Sequence, residues 1–365
     1  MAKKNAASNF INLIFRLILS KKPVNNFNLG SPKKFLIVRQ HNQLGDLLAG
    51  VSLFRAIKET YPQSHITLIV STFNYPGLIK NKYIDRMFIF NKKKIYNPGY
   101  FSEFLSILRE GYDVAIVPVV VSISFTSNLI ARLSRSKIRI GPESLNGELN
   151  ESAYFFDKRV KLDWRRHPDS NVSERSLDII RPFGINTKNY HSEISFDNDD
   201  IKIAEEFIAE MNLKKGELLI GIHVGAGKPN NRWSLQNYIS LINNLNKNYK
   251  AKFYLTGSSA DKAELNYIKN NCIINAGLFL NKEIPQVAAL ISKSHLFISN
   301  DTGIMHVAGS TDTPQISIFG PTNPFNWAPI GNNKYFIRKS ELIDDVTVQD
   351  VMGLCRQILP TQTKK

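Results

Sequence analysis

Short apolar runs alternate with segments of helical period along most of this chain. KFLIVR (34–39), HITLIVS (65–71), the run 113–121 and a shorter one at 137–140 have strand length and little polar alternation, the pattern of parallel strands covered by helices on both faces. Between them the spacing predicts helices over 47–60, near 101–109 and over 126–134. A second series starts with LLIGIHV (218–224) and continues through a helix over 236–246, KFYLT (252–256) and a helix over 261–270. It ends in an apolar run at 296–298, a helix containing Ile304, Met305, Val307 and Ala308, and a strand over 315–319. Strand–helix alternation over this distance predicts an α/β fold of doubly wound parallel sheets.

The polar, patternless stretch NTKNYHSEISFDNDD (186–200) separates the two series and reads as an interdomain linker. The predicted organisation is an amphipathic helix and linker over 1–32, a first domain over 33–190, a second over 200–345, and a helix and tail over 346–365. That last helix is expected to cross back to the first domain. At 365 residues with 43% apolar content, the chain can fill two cores.

Residues 8–20, SNFINLIFRLILS, are interrupted by Asn12 and Arg16 and fall short of the roughly 20 apolar residues of a membrane span. On a helical wheel Asn9, Asn12, Arg16 and Ser20 share one arc, and Phe10, Ile11, Ile14, Phe15, Leu17 and Ile18 fill the other. With Lys3, Lys4, Lys21 and Lys22 at its flanks, this is a candidate interfacial helix for an anionic membrane surface. A helix packed on the protein's own surface has the same pattern. Ser20-Lys21-Lys22 is a poor signal-peptide cleavage site.

The formal charge of +16 calls for an acidic partner, whether nucleic acid, anionic lipid or a phosphorylated substrate. Lys92-Lys93-Lys94 and the run Arg132, Arg135, Lys137, Arg139 are short clusters without a nucleic-acid-reading motif, so no nucleic-acid partner is expected. The two cysteines, Cys272 and Cys355, make neither a disulfide framework nor a zinc site, which fits a reducing compartment such as the cytoplasm.

Chemistry concentrates at strand ends. Gly45-Asp46 follows the first strand, where a doubly wound sheet places its functional groups, though Asp46 would equally serve as a first-turn carboxylate. Gly225-Ala226-Gly227-Lys228 follows strand 218–224, but Ile222 and Pro229 exclude a Walker loop and a missing third glycine excludes a dinucleotide fingerprint. Gly257 ends the next strand, with Asp261 and Glu264 either near a ribose or capping the helix that follows. Ser299-Asn300-Asp301-Thr302-Gly303 offers a helix N-terminus suited to phosphate, with His306 one turn further on the same face. Asp197-Asn198-Asp199 spells a metal-binding D-x-D but precedes a helical pattern over 201–211 and reads as its cap, so no metal is expected.

Asp301-Thr302-Gly303-x-x-His306-x-Ala308 followed by Phe319-Gly320-Pro321-Thr322 closely resembles the C-terminal signature of glycosyltransferase family 9, the lipopolysaccharide heptosyltransferases. Arg39, Gly45-Asp46, Arg55-Ala56-Ile57-Lys58 and Tyr61-Pro62 resemble its N-terminal signature, and the glycine turn leading to Arg232-Trp233 a third. The resemblance implies a GT-B fold, two facing Rossmann-like domains with a cleft between them. It implies Asp46 as catalytic base and a nucleotide-diphospho-sugar donor, by resemblance ADP-heptose, held at Gly45, Lys228, Arg232, Gly257, Asp301, Thr302, Gly303 and His306 without metal or cofactor. The acceptor would be a lipopolysaccharide or lipooligosaccharide core, a membrane glycolipid, which places the protein on the inner face of the cytoplasmic membrane. The family often carries lysine where this chain has Asn231, so Arg232 or Lys228 would supply that charge. Rival readings are transfer of another nucleotide sugar, a GT-B epimerase, and a non-catalytic saccharide-binding module, against which the intact Asp46 argues.

Overall fold

The computed structural model describes residues 14–40 and 43–360. A helix at 14–19 (α1) leads into the first sheet, made of β1 (Lys34–Arg39), β2 (His65–Ser71), β3 (Arg86–Phe90), β4 (Tyr112–Ile116), β5 (Ser136–Leu145), β6 (Glu148–Leu149) and β7 (Lys158–Leu162). Its order is β3-β2-β1-β4-β5, with β7 parallel and β6 antiparallel to β5. Helices α2 (Leu44–Ala49), α3 (Val51–Thr60), α4 (Pro98–Arg109), α5 (Phe125–Leu133) and α6 (Val172–Arg175) accompany it. The second sheet contains β8 (Leu218–His223), β9 (Ala251–Gly257), β10 (Gly277–Leu280), β11 (Leu296–Asn300), β12 (Gln315–Phe319) and β13 (Lys334–Arg338), all parallel in the order β10-β9-β8-β11-β12-β13. Around it lie α7 (Asn198–Glu210), α8 (Leu235–Asn248), α9 (Lys262–Asn271), α10 (Ile284–Ser292), α11 (Gly303–Gly309), α12 (Pro324–Trp327) and α13 (Val348–Ile358).

Both sheets reverse direction beside their first strand, between β1 and β4 and between β8 and β11. Open α/β sheets form their binding crevices at such points, beyond the strands' carboxyl ends. The strands behave as their sequences require: the side chains of β8, β11 and β12 are buried throughout. Asp197, the first carboxylate of the D-x-D, caps α7 reciprocally with Asp200 and accepts the Asp199 N–H, and Lys80 Nζ lies 2.6 and 2.7 Å from Asp197 and Asp200.

Four expectations are corrected. The single helix over 47–60 is two helices, because Gly50 (φ −80°, ψ 3°) leaves helical geometry and its N–H turns back to the Leu47 carbonyl. The first of them starts at Leu44, so Gly45 and Asp46 lie inside a helical turn rather than before it. The strand over 113–121 ends at Ile116, since Pro118 has no N–H to continue a ladder. The C-terminal helix does not cross back: Val351, Met352 and Cys355 of α13 join the second domain's core, where the helix packs on α8, and Trp233 Nε1 donates to the Val346 carbonyl at its base.

The domains meet instead through α2 and α11. Gly45 lies so close to His306 that a Cβ there would sit 2.7 Å from Cδ2 of the ring, and a Cβ on Gly303 would be 3.3 Å from Leu44. A second contact joins Asn171 Nδ2 to the carbonyls of Phe325 and Ala328, at 3.1 and 3.0 Å. Arg55 of α3 anchors the linker through the carbonyls of Asn189 and His191, at 2.7 and 2.8 Å, and through Glu193.

His306 is buried between Gly45 and the Trp327 ring, and burial pushes its pKa from 6.5 down to about 4. The imidazole is therefore neutral in the fold and protonates first in the unfolded chain. Its contribution to stability is complete above about pH 6.5 and is lost as pH falls toward 4, by up to about 3 kcal/mol. Denaturant unfolding at pH 7.5, 6 and 5 should show this loss, with a shallower decline in His306→Gln. Identical pH slopes in the two proteins would show that His306 stays accessible to protons in the folded state.

Candidate functional site

The crevice on the first domain begins at the end of β1. Gln43 precedes α2, and Leu44, Gly45 and Asp46 form the first turn, where the helix's free amides favour a carboxylate. Asp46 is 4% exposed. Arg39, 2% exposed, donates from Nη2 to the Asp46 carbonyl at 2.9 Å. Burial lowers the Arg39 pKa, and the Asp46 charge works in the opposite direction, so the guanidinium and the carboxylate feel each other directly. Glycine at 45 is needed for the approach of His306, which brings α11 over this turn.

Asn300, the last residue of β11, organises the facing side. Its Nδ2 donates to the Val224 carbonyl at 2.8 Å, and its Oδ1 accepts from Trp233 N at 3.2 Å and Tyr238 OH at 2.9 Å. One buried amide thus ties the end of β8, the Trp233 segment and the turn into α11. Next to it, Asp301 Oδ2 accepts from Asn231 Nδ2 at 2.9 Å. Burial raises the Asp301 pKa, against a hydrogen bond from Thr322, the charge of Lys228 and the Asn231 bond. Asn231 therefore does what lysine would do only by bringing a charge: it holds the carboxylate with a neutral donor. Thr302 is the N-cap of α11 with no side-chain capping bond, and Gly303 faces Leu44.

A third group forms the floor beyond β8 and β9. A Cβ on Gly225 would lie 2.8 Å from Asp261 Oδ1 and 3.1 Å from His223 Nε2, and one on Gly257 would meet Leu265 Cδ1 at 2.7 Å. Asp261 accepts from both Ser258 N and Ser258 Oγ at 2.8 Å, which closes the 3-10 turn at Ser259–Asp261; at the start of α9 itself it makes no side-chain capping bond. Glu264 lies 3.2 Å from Arg232 Nη1, and Arg232 Nε donates to the Ala226 carbonyl at 2.9 Å.

The fold thus brings Gly45 against His306 and Leu44 against Gly303, with Asp46 in the same turn as Gly45 and the Lys228 charge near Asp301. It turns Arg232 toward Glu264, which leaves Lys228 as the exposed cation of the glycine turn. Sequence reasoning passed over Asn231 as a partner of Asp301, Asn300 as a tether, and His223, whose Nδ1 lies 3.0 Å from both oxygens of Thr256. The available signal was a polar residue closing an otherwise apolar strand, as His223 and Asn300 do. Among the described residues no group of three or more His, Cys, Asp or Glu side chains is gathered as a metal site.

Across the crevice on the first domain, a cavity of about 360 Å³ opens at the ends of β1, β2 and β3. Gln40, Ser71, Thr72 and Asn91 give it hydrogen-bonding groups, Lys92 and Lys93 give it positive charge, and Phe73 gives it an apolar wall.

Comparison with known proteins agrees with this geometry. Lipopolysaccharide heptosyltransferase 3 of Escherichia coli is 24% identical over 302 residues, which cover 79% of this chain and 84% of that protein. A glycosyltransferase family 9 structure from Veillonella parvula superimposes with a TM-score of 0.77 at 17% identity, covering 92% of this chain and 99% of that one. The structure of ADP-heptose LPS heptosyltransferase II of E. coli gives a TM-score of 0.71 at 20% identity, with 89% and 98% covered. The architecture, two Rossmann-like domains facing each other, is GT-B. Residues 103–353 match the sequence model of glycosyltransferase family 9 (heptosyltransferase), and the chain belongs to that family.

Proposed function

We propose that this glycosyltransferase transfers heptose from ADP-heptose to a hydroxyl of a lipopolysaccharide or lipooligosaccharide core, with inversion and without metal or cofactor. The observation that carries this reading is the delivery of the Gly45-Asp46 turn against α11, where Gly45 meets His306 and Leu44 meets Gly303, so that a turn bearing a buried carboxylate in one domain abuts the start of the helix at Thr302-Gly303 in the other. The names of the similar E. coli proteins supply the donor and acceptor class.

In this mechanism the acceptor hydroxyl gives its proton to Asp46 while its oxygen attacks the anomeric carbon from the face opposite the diphosphate. The bond from that carbon to the diphosphate oxygen breaks and ADP leaves with the electron pair. Lys228 and the backbone amides at Thr302-Gly303 offset the charge that develops on it, the work a metal does in other transferases. Neutral His306 holds α11 against α2 and adds no charge to the site. The cavity bearing Lys92 and Lys93 suits an acceptor head that carries anionic groups.

The glycolipid acceptor places the enzyme on the inner face of the cytoplasmic membrane, and the N-terminal segment supplies a means. Phe15 of α1 stacks on Phe125 at 6.1 Å, and Arg132 Nε donates to the Leu19 carbonyl at 2.6 Å, so α1 is seated on α5. Leu17 and Ile18 stay 78% and 71% exposed, beside Lys21 and Lys22. Of the proposed membrane segment 8–20, residues 8–13 lie outside the described residues. No described helix is long and apolar enough to cross a membrane.

Asp46→Asn should lower turnover at least about a hundredfold with folding retained, the usual size of a positioned base's contribution. More than a tenth of wild-type activity would make Asp46 a first-turn carboxylate only. Native turnover should also persist in excess EDTA, and loss restored by Mg²⁺ would overturn the metal-free reading.

Lys228→Ala should weaken ADP about tenfold to a hundredfold, the value of one charge-assisted hydrogen bond, whereas Arg232→Ala should have a smaller effect because Glu264 already offsets its charge. Calorimetric titration with ADP separates them, and the reverse ranking would return the phosphate role to Arg232. Leu17→Ser with Ile18→Ser should abolish cosedimentation with anionic vesicles at unchanged thermal stability. Undiminished vesicle binding would remove α1 from the membrane contact.

A further inference from the structure

A second cavity lies far from the transfer chemistry, between the N-terminal segment and the edge of the first sheet. It measures about 160 Å³ and is lined by Pro23, Val24, Asn25, Phe27, Glu143, Lys158 and Arg159. The segment over it is fixed at several points: Lys21 N donates to the Tyr154 carbonyl and Val24 N to the Asp157 carbonyl, both at 2.8 Å, and Phe27 packs on Phe183 at 5.6 Å. Arg159 Nη2 donates to the Lys21 carbonyl at 2.9 Å, which braces the same roof.

Lys158 is the unusual member. It opens β7, paired with Ile140 of β5, and is only 5% exposed, yet its ammonium has no hydrogen-bond or ion-pair partner among the described residues. The aliphatic stem is buried while the ammonium is not among the fully buried unpaired groups, so the charged head is left to the cavity rather than to a protein partner. Glu143 stands at the bulge of β5, between Pro142 and Ser144, and also contributes to the cavity wall without pairing with Lys158 or Arg159. The cavity therefore holds two cations and one carboxylate that do not neutralise one another, next to the apolar Val24 and Phe27.

We propose that this cavity binds a phosphoethanolamine group, with its phosphate on Lys158 and Arg159 and its ammonium on Glu143. A simple oxyanion would satisfy the lysine and be repelled by the carboxylate, whereas a zwitterion answers both. The proposal concerns a site separate from the transfer cleft and does not depend on which sugar is transferred. Its ligand is either a lipid headgroup, reached because α1 and its exposed Leu17 and Ile18 immediately precede the roof, or a soluble phosphoethanolamine ester.

Calorimetry on the full chain with O-phosphoethanolamine, inorganic phosphate and ethanolamine tests it. Phosphoethanolamine should bind more tightly than either fragment, and Lys158→Met should weaken it about tenfold or more while leaving turnover on a soluble acceptor unchanged. Glu143→Gln should weaken phosphoethanolamine and leave inorganic phosphate unweakened. Lys158→Met should keep about the native melting temperature without ligand, because methionine preserves the packing of the buried lysine stem. Flotation with phosphatidylethanolamine vesicles against phosphatidylglycerol vesicles then distinguishes the sources: a preference for the former, lost in Lys158→Met, assigns the lipid, and its absence with headgroup binding intact assigns the soluble ester. The proposal fails if phosphoethanolamine binds no better than phosphate, if Lys158→Met binds it as the native chain does, or if Lys158→Met unfolds in the absence of ligand.

Discussion

The approach of Gly45 to His306 sets the relation between the two domains. A backbone can press against an imidazole ring only where no Cβ intervenes, and that contact turns the first turn of α2 toward the start of α11. Each helix begins beyond the first reversal point of its own sheet, so one contact aligns the two crevices. Asp46 and the turn at Asp301 to Gly303 then belong to one cleft although more than half the chain separates them. His306 can fill this position because burial keeps it neutral; a charged ring would have to be solvated or paired inside the interface.

Charge around the cleft is held with little freedom. Arg39 lies under Asp46, Asn231 and Thr322 hold Asp301, and Glu264 engages Arg232. The first two fix polar groups that burial alone would penalise, and the third is a half-exposed pair that turns Arg232 aside. The exception on the donor side is Lys228, exposed on a turn with glycine on either side of Ala226 and acting on Asp301 only through its field. An exposed cation beside two glycines suits a diphosphate that must enter, react and leave.

The N-terminal segment shows how an amphipathic pattern can be divided between two surfaces. Phe15 and the Leu19 carbonyl are used for docking on α5 and the neighbouring loop, while Leu17 and Ile18 remain outward. The chain after α1 then closes the cavity over Lys158. The interfacial and self-packed readings of residues 8–20 are therefore compatible, since adjacent residues on so short a helix point in different directions.

The strands were legible because a parallel strand between helix layers must be apolar on both faces, so 34–39, 65–71 and 315–319 stand out from sequence alone. Gly45-Asp46 and Asp301-Thr302-Gly303 were legible because functional groups in such sheets follow strand ends, where short polar motifs interrupt the apolar pattern. The break at Gly50 was not, since glycine within a helical pattern is tolerated as often as it ends one. Nor was the seat of α13, whose apolar face would fit either domain equally well by periodicity. The sequence determined which residues carry charge and which strands are buried, because both follow from local composition. Only the tertiary structure decided that Asn231 meets Asp301, that Arg232 turns to Glu264 and that His306 requires glycine at 45, because those partners lie about 30 to more than 250 positions apart and meet only once the sheets have formed.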